Sequence, residues 1–347
     1  MVDKKVLLVG AGRFGANHLR NLCVVFGNDN VYVADANQQL ALDQAGKNGV
    51  DRTHVSLSME GLLDRVDAVD IVTPTQTHFD LARAALEAGK DVLVEKPMTM
   101  TSREARMLCD LARDGGRILQ PGHLFRYNPA TDWMKQYIEE GKIGDVFLIE
   151  GHFGGFKRPR TDVGVAFTDG CHLYDLSADF FGRLPKHVTA KMARWLPREG
   201  DLEDWASVVL DFDGGSSQPG IASIKTEYFL PGTYRDMTII GTRGAIMADV
   251  VRQKVKVQEQ SHEQTGGLWT DRTGTSFEPN IITQEPLLLE LTEFYNSLTS
   301  RKQPRATPQD AYNLACIIEA MYTSDRERRR VEIVYDGSTW DDDADTY

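Results

Sequence analysis

The sequence predicts an α/β protein: a doubly wound parallel sheet at the N-terminus, then an α+β domain with an open, mostly antiparallel sheet. Three observations carry that expectation. Short apolar runs alternate with helical stretches through the first third of the chain, the pattern of a parallel sheet with helices on both faces. Residues Val6 to Gly15, VLLVGAGRFG, join one such run to a helix through three spaced glycines. Beyond residue 200 the apolar residues change to period two with no helix between successive runs, which suits antiparallel strands with one covered face.

Val6 to Val9 is too short for a helix and suits a strand buried on both faces. Gly10, Gly12 and Gly15 stand at the G-x-G-x-x-G spacing, and Arg13 to Phe26 reads as the helix that follows. The first glycine allows a tight turn, the second lets backbone N–H groups reach a pyrophosphate, and the third lets the helix lie close to its strand. The helix's free N–H groups and positive dipole end complete an anion site. A second strand, Val31 to Ala34, ends in Asp35, twenty residues after Gly15, where a carboxylate would accept hydrogen bonds from an adenosine ribose. Strand, glycines, helix and acid in that order point to a dinucleotide. A methyltransferase with a similar glycine-rich turn is the rival, and three glycines alone would mean only a strand-to-helix turn.

Leu40 to Lys47 is helical and leads to a short segment at Val55. Ser58 is expected to cap a helix carrying Leu62 and Leu63. Val69 to Val72 is the next buried strand and stops at Thr73-Pro74, because proline cannot donate to a ladder. Phe79 to Ala88 is helical, with Gly89 as a left-handed stop. Val92 to Val94 is a strand leading to Glu95-Lys96-Pro97. Thr101 with Glu104 forms a capping box for a helix to Arg113, and Ile118-Leu119 opens a sixth strand. The first domain is expected to cover residues 1–123.

The second domain is expected over residues 124–335. Asn128 and Pro129 suit the cap and first turn of a helix ending at Gly141. Ala206, Val208, Leu210 and Phe212 share one face of a strand, and Ala222, Ile224, Thr226 and Tyr228 share a face of the next, with the turn-rich loop Gly214 to Gly220 between them. Met237 to Ile240 and Lys254 to Val257 continue the pattern. The sheet's other face is a candidate for self-association. Gln258 to Glu285 is polar and long for a loop, either a lid or a solvated hairpin. Leu287, Leu291, Phe294 and Leu298 form a core-facing helical stripe. Thr307 caps a last helix with Pro308 at its first position and Leu314, Ile318 and Met321 facing inward.

Hydrophobic residues make up 41% of the chain, so it can bury a core in each of about two domains. A net charge of -12 argues against nucleic acid or an anionic membrane as partner, and an anionic substrate would need a local basic pocket. Part of that charge sits in the acidic tail, residues 336–347, expected to be a solvated end. The cysteines, Cys23, Cys109, Cys171 and Cys316, lack metal-ligand spacing, and no metal is expected. They read as small apolar residues of a reducing compartment. With no signal peptide before the first strand and no spanning apolar run, the expected location is cytoplasmic.

GAGRFG at 10–15, TPTQTH at 73–78, VEKP at 94–97, GHLFRYNPA at 122–130 and DVGVAFTDGCHLYD at 162–175 together resemble the Gfo/Idh/MocA family of NAD(P)-dependent oxidoreductases. The resemblance runs over nearly the whole chain, and its EKP element has no place in a methyltransferase. It implies a Rossmann domain and an open-faced sheet that binds a sugar, cyclitol or nucleotide sugar and builds homodimers or homotetramers. It also implies that Gly10, Gly12, Arg13, Phe14, Gly15, Asp35, Thr73, Pro74, His78, Glu95 and Lys96 bind the cofactor, NAD sooner than NADP. Substrate residues would be Lys96, Arg126, Asn128, Arg160, Thr168, Asp169 and His172. RTDVGV and the NPA element look closest to the nucleotide-sugar branch.

Oxidising a secondary alcohol needs a base for the hydroxyl proton while hydride leaves carbon. The resemblance implies Lys96 and His172 as the catalytic pair, where residue type alone would suggest a solvated lysine and a structural histidine. Histidine at its reference pKa is mostly neutral at pH 7 and lysine almost never is, so His172 suits proton acceptance and Lys96 suits stabilising alkoxide charge, unless burial exchanges the roles. The family usually has an aspartate four residues before that histidine, and Thr168 stands there. Asp169 is one step round a helix, and Asp175 could orient the His172 ring. Lys157 and Arg158 are solvated cations or, with Arg126 and Arg160, the partners of a phosphate or carboxylate. A non-catalytic, cofactor-bound sugar sensor is the rival reading.

Overall fold

The structure, a computed structural model, describes residues 4–198, 200–213 and 218–335 of a chain that divides into two compact units. The acidic tail and residues 214–217 of the loop after Phe212 lie outside the described residues. The first unit is built on six parallel strands: β1 (Val6–Val9), β2 (Val31–Ala34), β3 (Val55–Ser56), β4 (Ala68–Ile71), β5 (Asp91–Glu95) and β6 (Leu119–Gly122). Their order is β3-β2-β1-β4-β5-β6, the doubly wound arrangement. Helices α1 (Gly15–Phe26), α2 (Gln38–Lys47), α3 (His78–Glu87) and α4 (Ser102–Asp114) connect them. Every residue of β1 is buried, as its unbroken apolar run requires. Order reverses between β1 and β4, and the loops leaving those strands open the crevice where ligands of such sheets bind.

Local chemistry sets the boundaries. Thr101 and Glu104 form the reciprocal capping box at α4, and Gly89 takes φ +73° after α3. Helix α1 starts at Gly15 and not at Arg13, because the turn is still unwinding through residues 12–14. No α-helix begins at Ser58. Only a single 3-10 turn, Leu63–Arg65, forms there, after the chain turns at residues 60–62.

The second unit holds α5 (Pro129–Glu139), β7 (Val146–Gly155), α6 (Cys171–Phe181), β8 (His187–Ala193), β9 (Trp205–Phe212), β10 (Gly220–Glu227), β11 (Thr233–Gly241), β12 (Gly244–Asp249), β13 (Lys254–Thr265) and β14 (Leu268–Phe277). The sheet order is β14-β13-β12-β11-β7-β10-β9-β8 with β15 (Val331–Glu332) at the far edge, and within it only β7 and β10 pair in parallel. The period-two residues predicted for β9 and β10 are the buried ones. Gln258 to Glu285 is largely the hairpin of β13 and β14, whose second strand is exposed throughout.

Glu285–Ala315, with α7 (Pro286–Ser300) and the first turns of α8 (Pro308–Glu327), belongs to the first unit. The stripe Leu287, Leu291, Phe294 and Leu298 packs into the core formed by Leu19, Leu22 and Phe26 of α1. An apolar stripe announces burial and leaves open which sheet receives it. Phe294→Ala should therefore lower the unfolding free energy by about 3–5 kcal/mol in chemical denaturation. A loss below about 1 kcal/mol would show that α7 is not part of this core.

Candidate functional site

In the first unit the glycine loop forms a cradle. Gly10 holds φ +101°, and a Cβ there would stand 2.6 Å from the Val72 carbonyl oxygen. A Cβ at Gly15 would fall 1.9 Å from the Gly10 carbonyl oxygen, so only glycine lets α1 approach the turn. Gly12 faces open space, with nothing within 4 Å of where its Cβ would be. Asp35 Oδ2 accepts the Ala11 N–H at 2.7 Å, which ties the end of β2 to this loop. A cavity of about 580 Å³ opens here, bringing together Gly10, Gly12, Asp35, Thr73 and Pro74 with Leu57, Met59 and Leu81. Open backbone at a helix N-terminus beside an acid fits a dinucleotide, its pyrophosphate over Gly12 and a ribose at Asp35.

Arg13, Phe14, His78, Glu95 and Lys96 do not line that cavity. Lys96 is half-buried at the carboxyl end of β5, before a cis Lys96-Pro97 peptide. Its N–H donates to Glu95 Oε2 at 3.1 Å. His78, expected at the cofactor, has both ring nitrogens engaged within the fold. Its ring nitrogens lie 2.9 Å from the carbonyl oxygens of Pro97 and Thr73, fastening the two loops together, and burial lowers its pKa.

Beneath Lys96 lies a buried charge cluster that the sequence reading missed. His18 of α1 is fully buried, with Nδ1 2.8 Å from Asp70 Oδ2 and Nε2 3.3 Å from Glu95 Oε1. Burial opposes charge on the ring most strongly, yet the two flanking carboxylates outweigh it and raise the pKa to about 10. Burial also pushes Asp70 up against the pull of the ring, and it pushes Glu290 of α7 well above the usual carboxylate range. Signals for this cluster existed. Asp70 interrupts an apolar strand, and Glu290 falls three residues after Leu287 on the buried side of its helix.

In the second unit a π-helical turn, Ala166–Gly170, precedes α6 and carries Thr168 and Asp169, both buried. Glu203 caps that turn, Oε1 accepting the Ala166 N–H at 2.9 Å and the Tyr322 hydroxyl at 3.0 Å. Gly164 makes room, since a Cβ there would sit 1.9 Å from the Glu203 carboxylate. His172 follows on α6, half-buried, stacked on Phe153 at 5.4 Å and edge-on to Phe125 at 4.7 Å. Two aromatic rings thus fix the plane of its imidazole.

Several predicted substrate residues have partners within the fold. Asn128 is one: Oδ1 accepts the Ala130 N–H and Nδ2 donates to the Val250 carbonyl at 2.6 Å, all buried. Arg126 forms a two-pronged pair with Asp175 at 2.8 and 2.7 Å, so that carboxylate serves the arginine. Arg160 pairs with Asp162, which raises the arginine's pKa and lowers the acid's. Asp169 pairs with Lys157. Among the described residues no group of three or more His, Cys, Asp or Glu could hold a metal, and no helix is long and apolar enough to cross a membrane.

Comparison with known proteins agrees with both halves. Residues 4–123 match an oxidoreductase family described as having an NAD-binding Rossmann fold, and residues 135–333 match that family's C-terminal alpha/beta domain. A scyllo-inositol 2-dehydrogenase (NAD(+)) of Bacillus subtilis is 29% identical over 319 residues, covering 88% of this chain and 89% of its own. A UDP-N-acetylglucosamine 3-dehydrogenase of Acidithiobacillus ferrooxidans is 31% identical over 191 residues, 55% of this chain and 58% of its own. A solved levoglucosan dehydrogenase in complex with NADH and levoglucosan superposes with a TM-score of 0.80 at 22% identity, over 95% of this chain and 99% of that one, a likeness of fold.

The buried cluster sets a pH dependence. His18 has a folded-state pKa raised from 6.5 to about 10, so its contribution to stability is complete below 6.5 and is lost as pH rises towards 10. Asp70 and Glu290, also raised, act in the same direction at lower pH. Unfolding free energy should fall by up to about 1.4 kcal/mol per pH unit across the histidine's window, and His18→Gln should flatten that slope. Denaturant titrations at a series of pH values measure it.

Proposed function

The chain belongs to the Gfo/Idh/MocA family of oxidoreductases, and from that membership we propose that it interconverts a secondary hydroxyl and a ketone on a sugar, cyclitol or nucleotide sugar, such as the 3-position of a UDP-N-acetyl sugar. NAD, when bound, supplies the hydride acceptor. Lys96 carries this reading: a cation at the carboxyl end of β5, on the ligand-binding edge of the sheet, with its backbone held by Glu95 and the next peptide pinned by His78. A fixed cation lowers the energy of an alkoxide as charge develops on the hydroxyl oxygen. His172 takes the hydroxyl proton, its ring plane set by Phe153 and Phe125. Thr168 offers a hydroxyl in place of the family's aspartate. That absence of a carboxylate keeps a second reading open, a cofactor-bound sugar sensor. The proposal extends to a cytoplasmic homodimer or homotetramer joined through the open face of the nine-stranded sheet.

The test is turnover of the NAD-loaded protein against inositols, hexoses and UDP-sugars, followed by cofactor absorbance. Lys96→Ala should reduce kcat by about two orders of magnitude or more with little change in melting temperature. His172→Ala should remove most turnover while NADH binding survives. Absence of turnover in the wild type, with sugar binding that responds to cofactor, would favour the sensor.

Asp35 also predicts cofactor choice. Its carboxylate at the ribose end of the cavity repels a 2′-phosphate by about 1 kcal/mol per charge pair even at water-like screening. NADH should bind at least about tenfold more tightly than NADPH. Asp35→Ala should narrow that gap and, by freeing the Ala11 N–H, weaken both affinities. Fluorescence titration with the two reduced cofactors checks both effects.

A further inference from the structure

Near the end of β7 in the second unit, three cations have acids of their own: Lys157 with Asp169, Arg160 with Asp162, and Arg198 with Asp204, while Arg158 stands exposed. Arg235 of β11 is different. It is half-buried and, among the described residues, has no carboxylate within ion-pair distance. Its Nη1 donates to the Gly154 carbonyl at 2.7 Å and to the Tyr234 carbonyl, which anchors one edge of the guanidinium. Nε and Nη2 are left with no partner in the fold and are not sealed from solvent. The guanidinium carbon lies 3.6 Å from the centre of the Phe153 ring, the same ring on which His172 stacks.

Register explains the placement. Met237 and Ile239 are buried on the covered face of β11, and Arg235 is two residues earlier in the same phase, where an apolar residue is the ordinary choice. A cation drawn out of water without an ion pair is a cost to folding, and such costs concentrate where a ligand supplies the missing charge. Burial lowers its pKa, against the distant pull of Asp169, Asp236 and Asp249. The anchored edge leaves a planar fork of donors, the geometry that takes a carboxylate or phosphate by two parallel hydrogen bonds.

We propose that Arg235 reads an oxyanion on the substrate, a carboxylate or phosphate group, and so selects acidic sugars over neutral ones. The inference rests on the oxidoreductase reading for its substrate and deepens it. It also answers how a chain of net charge -12 could accept an anion: a half-buried cation here has no acid at ion-pair distance among the described residues.

The experiment uses the NADH-loaded full chain and two measurements. Calorimetric titration with glucose, glucuronate, glucose 6-phosphate and UDP-N-acetylglucosamine compares wild type with Arg235→Gln and Arg235→Lys. Turnover with NAD gives kcat and KM for the same compounds. We expect glucuronate or a phosphorylated sugar to bind at least about tenfold more tightly than glucose, and Arg235→Gln to remove about that preference, through KM more than kcat. Arg235→Lys should restore part of it, as a charge without the fork. Glucuronate and the phosphates as separate arms show which oxyanion is read. Anion-selective binding that depends on Arg235 but comes without turnover upholds this proposal and counts against the oxidoreductase reading. Turnover of neutral and acidic sugars alike, or equal losses for both in Arg235→Gln, overturns this proposal and leaves that reading standing. Unchanged NADH affinity in both variants confirms that they fold.

Discussion

The first unit depends on one charged ring buried between two carboxylates. His18 brings α1 to β4 through Asp70 and to β5 through Glu95. Those elements carry the glycine cradle, the loop at Thr73 and the turn at Lys96. Three apolar contacts in the same place would bind as strongly, and hydrophobic replacement of buried ion pairs is often neutral or stabilising. A hydrogen bond differs in having direction. The ring's Nδ1 is hydrogen-bonded to Asp70, its Nε2 stands at ion-pair distance from one Glu95 oxygen, and the other Glu95 oxygen receives the Lys96 N–H, so the helix is tied to the strand end that carries Lys96. Glu290, buried and pushed well above the usual range by burial and the neighbouring Glu95, adds α7 to the same cluster.

That arrangement accounts for what was legible in the sequence and what was not. Short-range features were readable because they are set by neighbours along the chain. Gly10, Gly12 and Gly15, the box at Thr101 and Glu104, the stop at Gly89 and the period-two strands all fall where residue chemistry places them. Ser58 misled because a capping residue alone does not nucleate a helix, and the chain turns at residues 60–62 instead. Features made by distant residues were not readable in the same way. The stripe on α7 announced that it would be buried, but it packs on α1 some 270 positions earlier, and nothing periodic encodes that pairing.

The candidate site divides along the same line. Lys96 and His172 stand in recognisable motifs, which is why the sequence singles them out. Around them, several polar side chains find partners far along the chain that no local pattern announces. Asp175 was considered for His172 and meets Arg126, and Asn128 was considered for substrate and meets Val250. Polar residues near a motif are poor guides because a folded chain satisfies most buried polar groups itself. Arg235 went unnoticed for the opposite reason. Its strand phase marked it as an inward-facing cation, a conflict between local pattern and chemistry, and such conflicts are where function tends to reside.

The π-helical turn bears on what the substitution at residue 168 means. A π turn takes in one more residue than an α turn before its hydrogen bond closes, and such insertions cluster at functional sites. Here Thr168 and Asp169 lie buried in the turn just ahead of His172, and Glu203 caps it from the segment before β9. Asp169 pairs with Lys157. The turn thus holds a carboxylate next to the threonine, with a lysine as its partner. A turn so arranged places a buried threonine four residues before a histidine whose ring is braced by Phe153 and Phe125.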